Sequence, residues 1–200
     1  MKFFKYLLYF LAALILVFLA FGLFIPVIEY GHEVKVDKPV KEAWAVSQDK
    51  SKYDQWLAGF KSMELMEGEY FEVGSKYKVV VEPGEGQPAF ELIETIVSIK
   101  ENDHVEMHFE GEAMDMEQIM TFTEADDKTT IRTNSKAMAK GLMGRSMFAL
   151  MEKLGGAFTS QEAMNMEALK KLIEENTTDY FPAPVEEEEA SATAAEVGNS

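Results

Sequence analysis

The sequence contains no cysteine. Disulfides, thiol nucleophiles and thiolate metal sites are therefore excluded, and the redox compartment stays open. Positive charge is scarce: 19 Lys and Arg stand against 35 Asp and Glu, a formal net charge of -16. Arg132 and Arg145 are the only arginines. No basic cluster offsets this balance, so the surface repels nucleic acid and anionic headgroups. Histidine is limited to three residues. His104 and His108 are the one close pair, and in a strand they stand about 13 Å apart, too far to share a metal. Ser135, Ser146 and Ser160 have no identifiable histidine partner for nucleophilic chemistry. A phosphate-cradling glycine loop and a dinucleotide fingerprint are both missing. These absences leave no expected catalytic set, no metal and no cofactor.

What is present begins with a long apolar run. Tyr6 to Ile25 carries no charge, and its 20 residues match the thickness of a hydrocarbon core in helical form. Lys2 and Lys5 precede it, and the next cation is Lys35. This asymmetry predicts a single-pass anchor over residues 1–26, with a cytoplasmic N-terminus and the remaining chain on the extracytoplasmic side. A cleaved signal peptide is the rival reading, but Ala20-Phe21-Gly22 makes a poor cleavage site. From Thr177 onward, four consecutive glutamates, two prolines and an Ala/Ser/Thr run predict a disordered acidic tail over 177–200. Between these ends, residues 27–176 suffice for one domain with its own core.

Inside that domain the pattern changes along the chain. Val27 to Val36 reads as a strand with Ile28, Tyr30, His32, Val34 and Val36 on one side. Asp37-Lys38-Pro39 opens a helix carrying Val40, Ala43, Trp44 and Ser47, and Lys50 to Trp56 makes a second short helix. Strands follow over Phe60–Glu67 and Ser75–Glu82, then a Pro83–Pro88 connection, then Phe90–Lys100. In that last strand two parities compete for the inward face, which leaves the register open, with a bulge as one way to switch it. Val105, Met107 and Phe109 alternate with His104, Glu106, His108 and Glu110. Met114, Met116, Met120 and Phe122 share one parity. Thr129 to Ser135 is the final strand. Met138 to Asn176 then shows helical spacing, with a break or kink at Gly155-Gly156. About six hairpin-linked strands followed by a long helix define an α+β domain rather than parallel β-α-β units.

Several segments resemble the START/Bet v 1-like superfamily, also called SRPBCC or polyketide cyclase/dehydrase-like. Glu33 to Trp44 is similar to its first strand running into a proline-initiated helix, although Lys38 replaces a common alanine. Asp49-Lys50-Ser51-Lys52-Tyr53-Asp54-Gln55-Trp56 resembles its Asp-x-x-x-Tyr-x-x-Trp segment. Gly74, the Thr121–Thr123 stretch with its Asp127 turn, and Leu169–Glu174 follow in the family's order. The resemblance implies a helix-grip fold, a curved antiparallel sheet wrapped around the C-terminal helix with an apolar cavity between them. It carries no universal catalytic motif.

The expected function is a membrane-anchored binding module for an apolar small molecule or lipid. The cavity wall would be Tyr77, Val79, Phe90, Leu92, Met107, Phe109, Met114, Met116, Met120, Met147 and Met151. Methionine is abundant, at 13, and suits an adaptable apolar surface. One alternative is a cyclase or hydratase using a buried carboxylate. Glu91 and Glu94 have opposite parities, so one of them points inward unless a bulge intervenes. Another alternative is a partner-binding envelope domain whose acidic surface meets a basic protein. Arg145 is a candidate for the cavity mouth, with a solvated helical position as the plainer reading.

Overall fold

The computed structural model describes residues 2–82, 84 and 88–182. Helix α1 spans Lys2–Phe24 and is followed by strands β1 (Ile28–Tyr30) and β2 (Glu33–Val36). Helix α2 (Val40–Ser47) begins after Pro39, whose missing N–H is no loss in a first turn. A single 3-10 turn at Lys50–Lys52 leads into α3 (Tyr53–Trp56), and Asp49 caps that turn by accepting from the Ser51 N–H. Six longer strands follow: β3 (Phe60–Glu67), β4 (Lys76–Val81), β5 (Phe90–Lys100), β6 (His104–Gly111), β7 (Met114–Ala125) and β8 (Lys128–Ala139). Helices α4 (Gly141–Gly155) and α5 (Ala157–Glu174) close the order.

The strands form one antiparallel sheet in the order β1-β8-β7-β6-β5-β4-β3, with β2 also beside β8. The β7–β8 hairpin turns on Asp126 and Asp127, both at positive φ, the mirror-type turn whose twist suits adjacent strands. The register of β5, open in the sequence, is switched by a bulge between Ile96 and Ser98. Leu92, Glu94 and Ile96 face inward before it, and Ile99 packs on the core after it, with Val97 exposed. One extra residue therefore accounts for both competing parities.

The core lies between the concave face of the sheet and α5. Met166, Leu169 and Ile173 are fully buried at helical spacing and meet Val34, Val36, Trp44 and Ile131. Of the break or kink expected at Gly155-Gly156, the structure has the break, and the terminal stretch is two helices. Gly156 adopts a left-handed conformation (φ 57°, ψ 39°) between them, a position suited to glycine. Met138 and Ala139 extend β8 instead of starting the helix.

Helix α4 turns away from the sheet's centre and packs against α1. Gly22 makes the closest approach: a Cβ there would fall 2.5 Å from Ser146 Oγ and 2.7 Å from the Leu142 carbonyl oxygen. The first two thirds of α1 carries exposed Phe, Leu and Tyr side chains. Its length and mean hydropathy of 2.8 are sufficient for a membrane crossing by composition alone.

The first residues of the stretch expected as a tail from Thr177 are docked on the domain. Lys52 Nζ donates to Asn176 Oδ1 (2.8 Å) and Thr178 Oγ1 (3.3 Å), the Tyr180 hydroxyl donates to Asp49 Oδ2 (2.6 Å), and Lys41 sits over the Phe181 ring. Residues 177–182 thus strap α2 and the 3-10 turn. The acidic stretch from 183 onward, and most of the Pro83–Pro88 connection, lie outside the described residues.

Candidate ligand site on the concave face

Strand register fixes the floor of the site. Tyr77, Glu94, Phe109, Met116 and Ala137 stand side by side across β4, β5, β6, β7 and β8. The neighbouring row is Ile96, Met107, Gln118, Ser135 and Tyr30. Side chains two apart in a strand share a face, so both rows look towards α5. Met107, Met114, Met116 and Gln118 are only half-buried. They form an incompletely covered strip between two polar groups.

Glu94 marks one end. It is 8% exposed, and no side-chain hydrogen bond to it occurs among the described residues. Removal from water penalises its charged form and pushes its pKa up to about 7. Aromatic side chains surround it. Burial, and secondarily the Glu94 charge, hold the Tyr53 hydroxyl well above its ordinary pKa. Tyr53 stacks edge-on to Trp56 at 6.1 Å between ring centroids. The Trp56 Nε1–H is buried without an acceptor among the described residues. A carboxyl, a phenol and an unpaired indole donor therefore share the α3 end of the interior.

Glu162 on α5 marks the other end, also at 8% exposure. Burial raises its pKa, while the nearby Thr133 hydroxyl and His32 oppose the shift. Gln118 Nε2 donates to Ser135 Oγ at 3.0 Å and reaches Glu162 Oε1 at 3.4 Å. The Tyr30 hydroxyl donates to Met116 Sδ at 3.0 Å. Burial first, then the Glu162 charge, push the Tyr30 pKa up.

The structure sorts the residues singled out from the sequence. Tyr77, Val79, Leu92, Phe109 and Met120 are buried on the concave side, and Met107, Met114 and Met116 are half-buried beside them. Three expected wall residues stand elsewhere. Phe90 is exposed at the rim, and Met147 and Met151 are exposed on α4, because α5 and not α4 covers the sheet. Glu94 faces inward, while Glu91 faces out and pairs with Lys78 at 2.7 Å. Arg145 Nε donates to the Ala139 carbonyl at 3.3 Å, which ties it to the end of β8. Ser146 hydrogen-bonds the Leu142 carbonyl within its own helix.

Among the described residues, no three His, Asp or Glu side chains are placed to hold a metal. His104 and His108 both face the outer side. Ser98, a serine passed over in the sequence, lies 3.0 Å from His104 Nε2, and His104 Nδ1 lies 2.5 Å from Asp103 Oδ1. Two hollows among the described residues have volumes of about 370 and 290 Å³, and both are open. The larger lies beneath the 177–181 strap, and the smaller runs beside Glu29, Glu106, Glu117 and Lys136 on the sheet. Neither contains Glu94 or Glu162.

Glu162 and Gln118 were the residues sequence reasoning missed. Both carried a signal. Glu162 lies four, seven and eleven positions before Met166, Leu169 and Ile173, on the same apolar stripe. Gln118 shares the parity of Met116 and Met120.

A curved antiparallel sheet gripping a C-terminal helix places the chain in the SRPBCC/START/Bet v 1-like superfamily. Proteins of this superfamily hold hydrophobic small molecules in an interior cavity. More narrowly, the chain belongs to the family described as activator of Hsp90 ATPase homolog 1-like protein, whose sequence profile matches residues 37–168. No curated protein matches the sequence.

Solved structures share the fold at low identity. A conserved protein from Geobacillus kaustophilus is 20% identical with a TM-score of 0.58, over 73% of this chain and 95% of its own. Ara h 8.0201 is 17% identical with a TM-score of 0.54, over 75% of this chain and 99% of its own. The di-domain ARO/CYC protein StfQ from the steffimycin biosynthetic pathway is 10% identical with a TM-score of 0.58, over 74% of this chain and 51% of its own.

These relatives correct the localisation expected from the N-terminal run. They are crystal structures of chains without a membrane topology, and Ara h 8.0201 is filled by the shared domain with nothing left over for a spanning helix. The fold thus brings no anchor with it, and the single-pass, extracytoplasmic assignment is overturned. Helix α1 enters the structure as an apolar helix seated on α4.

Proposed function

We propose that the concave strip binds an apolar small molecule and that Glu94 transfers a proton to or from it, in a reaction of cyclase or hydratase type. The observation that carries this reading is Glu94 itself, an inward carboxyl in an aromatic enclosure. Burial brings its pKa to about 7. A group titrating there can both give and take a proton near neutrality. Apolar neighbours would hold the substrate, with the Tyr53 hydroxyl and the Trp56 N–H available to its oxygen atoms. The ARO/CYC designation of StfQ is in keeping with such chemistry on this fold.

Binding without chemistry is the second reading. It is favoured by the lack of any side chain hydrogen-bonded to Glu94 among the described residues, which leaves no partner to orient its carboxyl for proton transfer. Both readings require a ligand on the strip. The neutral fluorescent probe N-phenyl-1-naphthylamine tests this in the full chain. One equivalent should be taken up with quenching of tryptophan emission, and Met116→Trp, which fills the strip, should block it. No uptake, or uptake unaffected by that substitution, would defeat both readings.

A further inference from the structure

Among the described residues the interior holds two buried carboxyls, Glu94 and Glu162, and no buried lysine or arginine to answer either of them. No charged group acts on Glu94. Around Glu162 the one cationic candidate is His32, whose Nε2 already faces Glu167 Oε1 at 3.6 Å. Among the described residues the side-chain hydrogen bond to Glu162 is one long amide contact from Gln118 at 3.4 Å, a neutral donor, with the Thr133 hydroxyl nearby and turned to the His32 carbonyl. A buried carboxylate held only by neutral donors is under-compensated. A cation arriving beside it would supply the missing partner, and a second anion would add repulsion at low dielectric.

We propose that the Glu162 end is a recognition subsite for a protonated amine at the head of an apolar ligand. This rests on the reading of the concave strip as a ligand site. The amine would take Glu162 as its counter-ion, with Ser135 Oγ as an acceptor beside it. The apolar body would then run over Met116 and Met107 towards Glu94. Glu94 and Gln118 stand on strands two apart in the sheet, about 10 Å in the pairing direction. The interior is thereby set against fatty acids and other apolar carboxylates, which superficially suit the same strip.

Calorimetric titration of the full chain at pH 8 with decylamine, decanol and decanoate tests the assignment, each kept below its micelle concentration. Decylamine should bind at least about tenfold more tightly than decanoate, with decanol between them. Glu162→Gln should reduce the amine preference to under about threefold and leave decanol unchanged. Glu91→Gln removes an equal charge from the outer face, where Glu91 pairs with Lys78, and should preserve the preference. A preference retained in Glu162→Gln, or lost equally in Glu91→Gln, would assign it to Glu94 or to the acidic surface and overturn the subsite. Decanoate binding as well as decylamine would overturn it too, while a ligand strip as such would survive. If none of the three binds, the strip itself fails and the subsite with it.

Discussion

Substituting Glu94 by glutamine removes its titration while keeping its shape, and the consequence for stability follows from linkage. The folded chain holds the Glu94 proton up to about pH 7, against an ordinary glutamate value of 4.5. Between those values the native state binds more protons than the unfolded chain, so stability falls as pH rises. Burial therefore works for the fold in acid and against it in base. Integrated over the whole shift, the loss is about 3 kcal/mol, since one unit is worth about 1.4. Roughly 2 kcal/mol of this falls between pH 5.5 and 8.5. That range is clear of the isoelectric point near 4.6.

Urea unfolding of wild type and Glu94→Gln across the range measures the difference and cancels the other titrating groups. The glutamine variant should gain about 2 kcal/mol over wild type between the two limits. A gap constant to within about 0.5 kcal/mol would mean that the carboxyl ionises as it does in water. The enclosure by Tyr53, Tyr77 and Phe109 would then be wrong.

Three further outcomes test the packing. Ile173→Ala, at a fully buried position on α5, should lower unfolding free energy by about 3 kcal/mol in denaturant titration; a loss under about 1 kcal/mol would mean that α5 does not cover the sheet. Gly22→Leu cannot fit against Ser146, so it should separate α1 from α4, read as lengthened distances between spin labels on the two helices, with the domain's near-ultraviolet dichroism unchanged; unchanged distances would refute the contact. Tyr180→Phe removes the donor to Asp49 and should cost about 1 kcal/mol, with faster proteolysis near Thr178; unaltered stability and cleavage would show the strap to be undocked.

Much of the fold was legible because alternation and helical spacing are local signals. The order of elements along the chain, the proline-initiated α2 and the short helix ending at Trp56 all followed from neighbouring residues. The bulge at Ile96–Ser98 was visible as two parities in conflict, although its position depended on the pairing with β6. The split of the terminal helix was harder. Met147, Met151 and Leu154 repeat like a core face, yet α4 meets α1 and leaves them exposed. Which neighbour a stripe finds is a tertiary fact that spacing alone does not encode. The site was less legible for the same reason. Choosing between Glu91 and Glu94 needed the sheet register, and Glu162 stands out only once α5 is laid over Gln118 and Thr133.

The most direct measurement is the ionisation of Glu94, followed by carbon NMR on chain labelled at the glutamate carboxyls and assigned by its loss in Glu94→Gln. A midpoint near 7 that moves when N-phenyl-1-naphthylamine occupies the strip is what an inward, ligand-facing acid requires. A midpoint near 4.5, indifferent to the probe, would place that carboxyl in water and contradict the account.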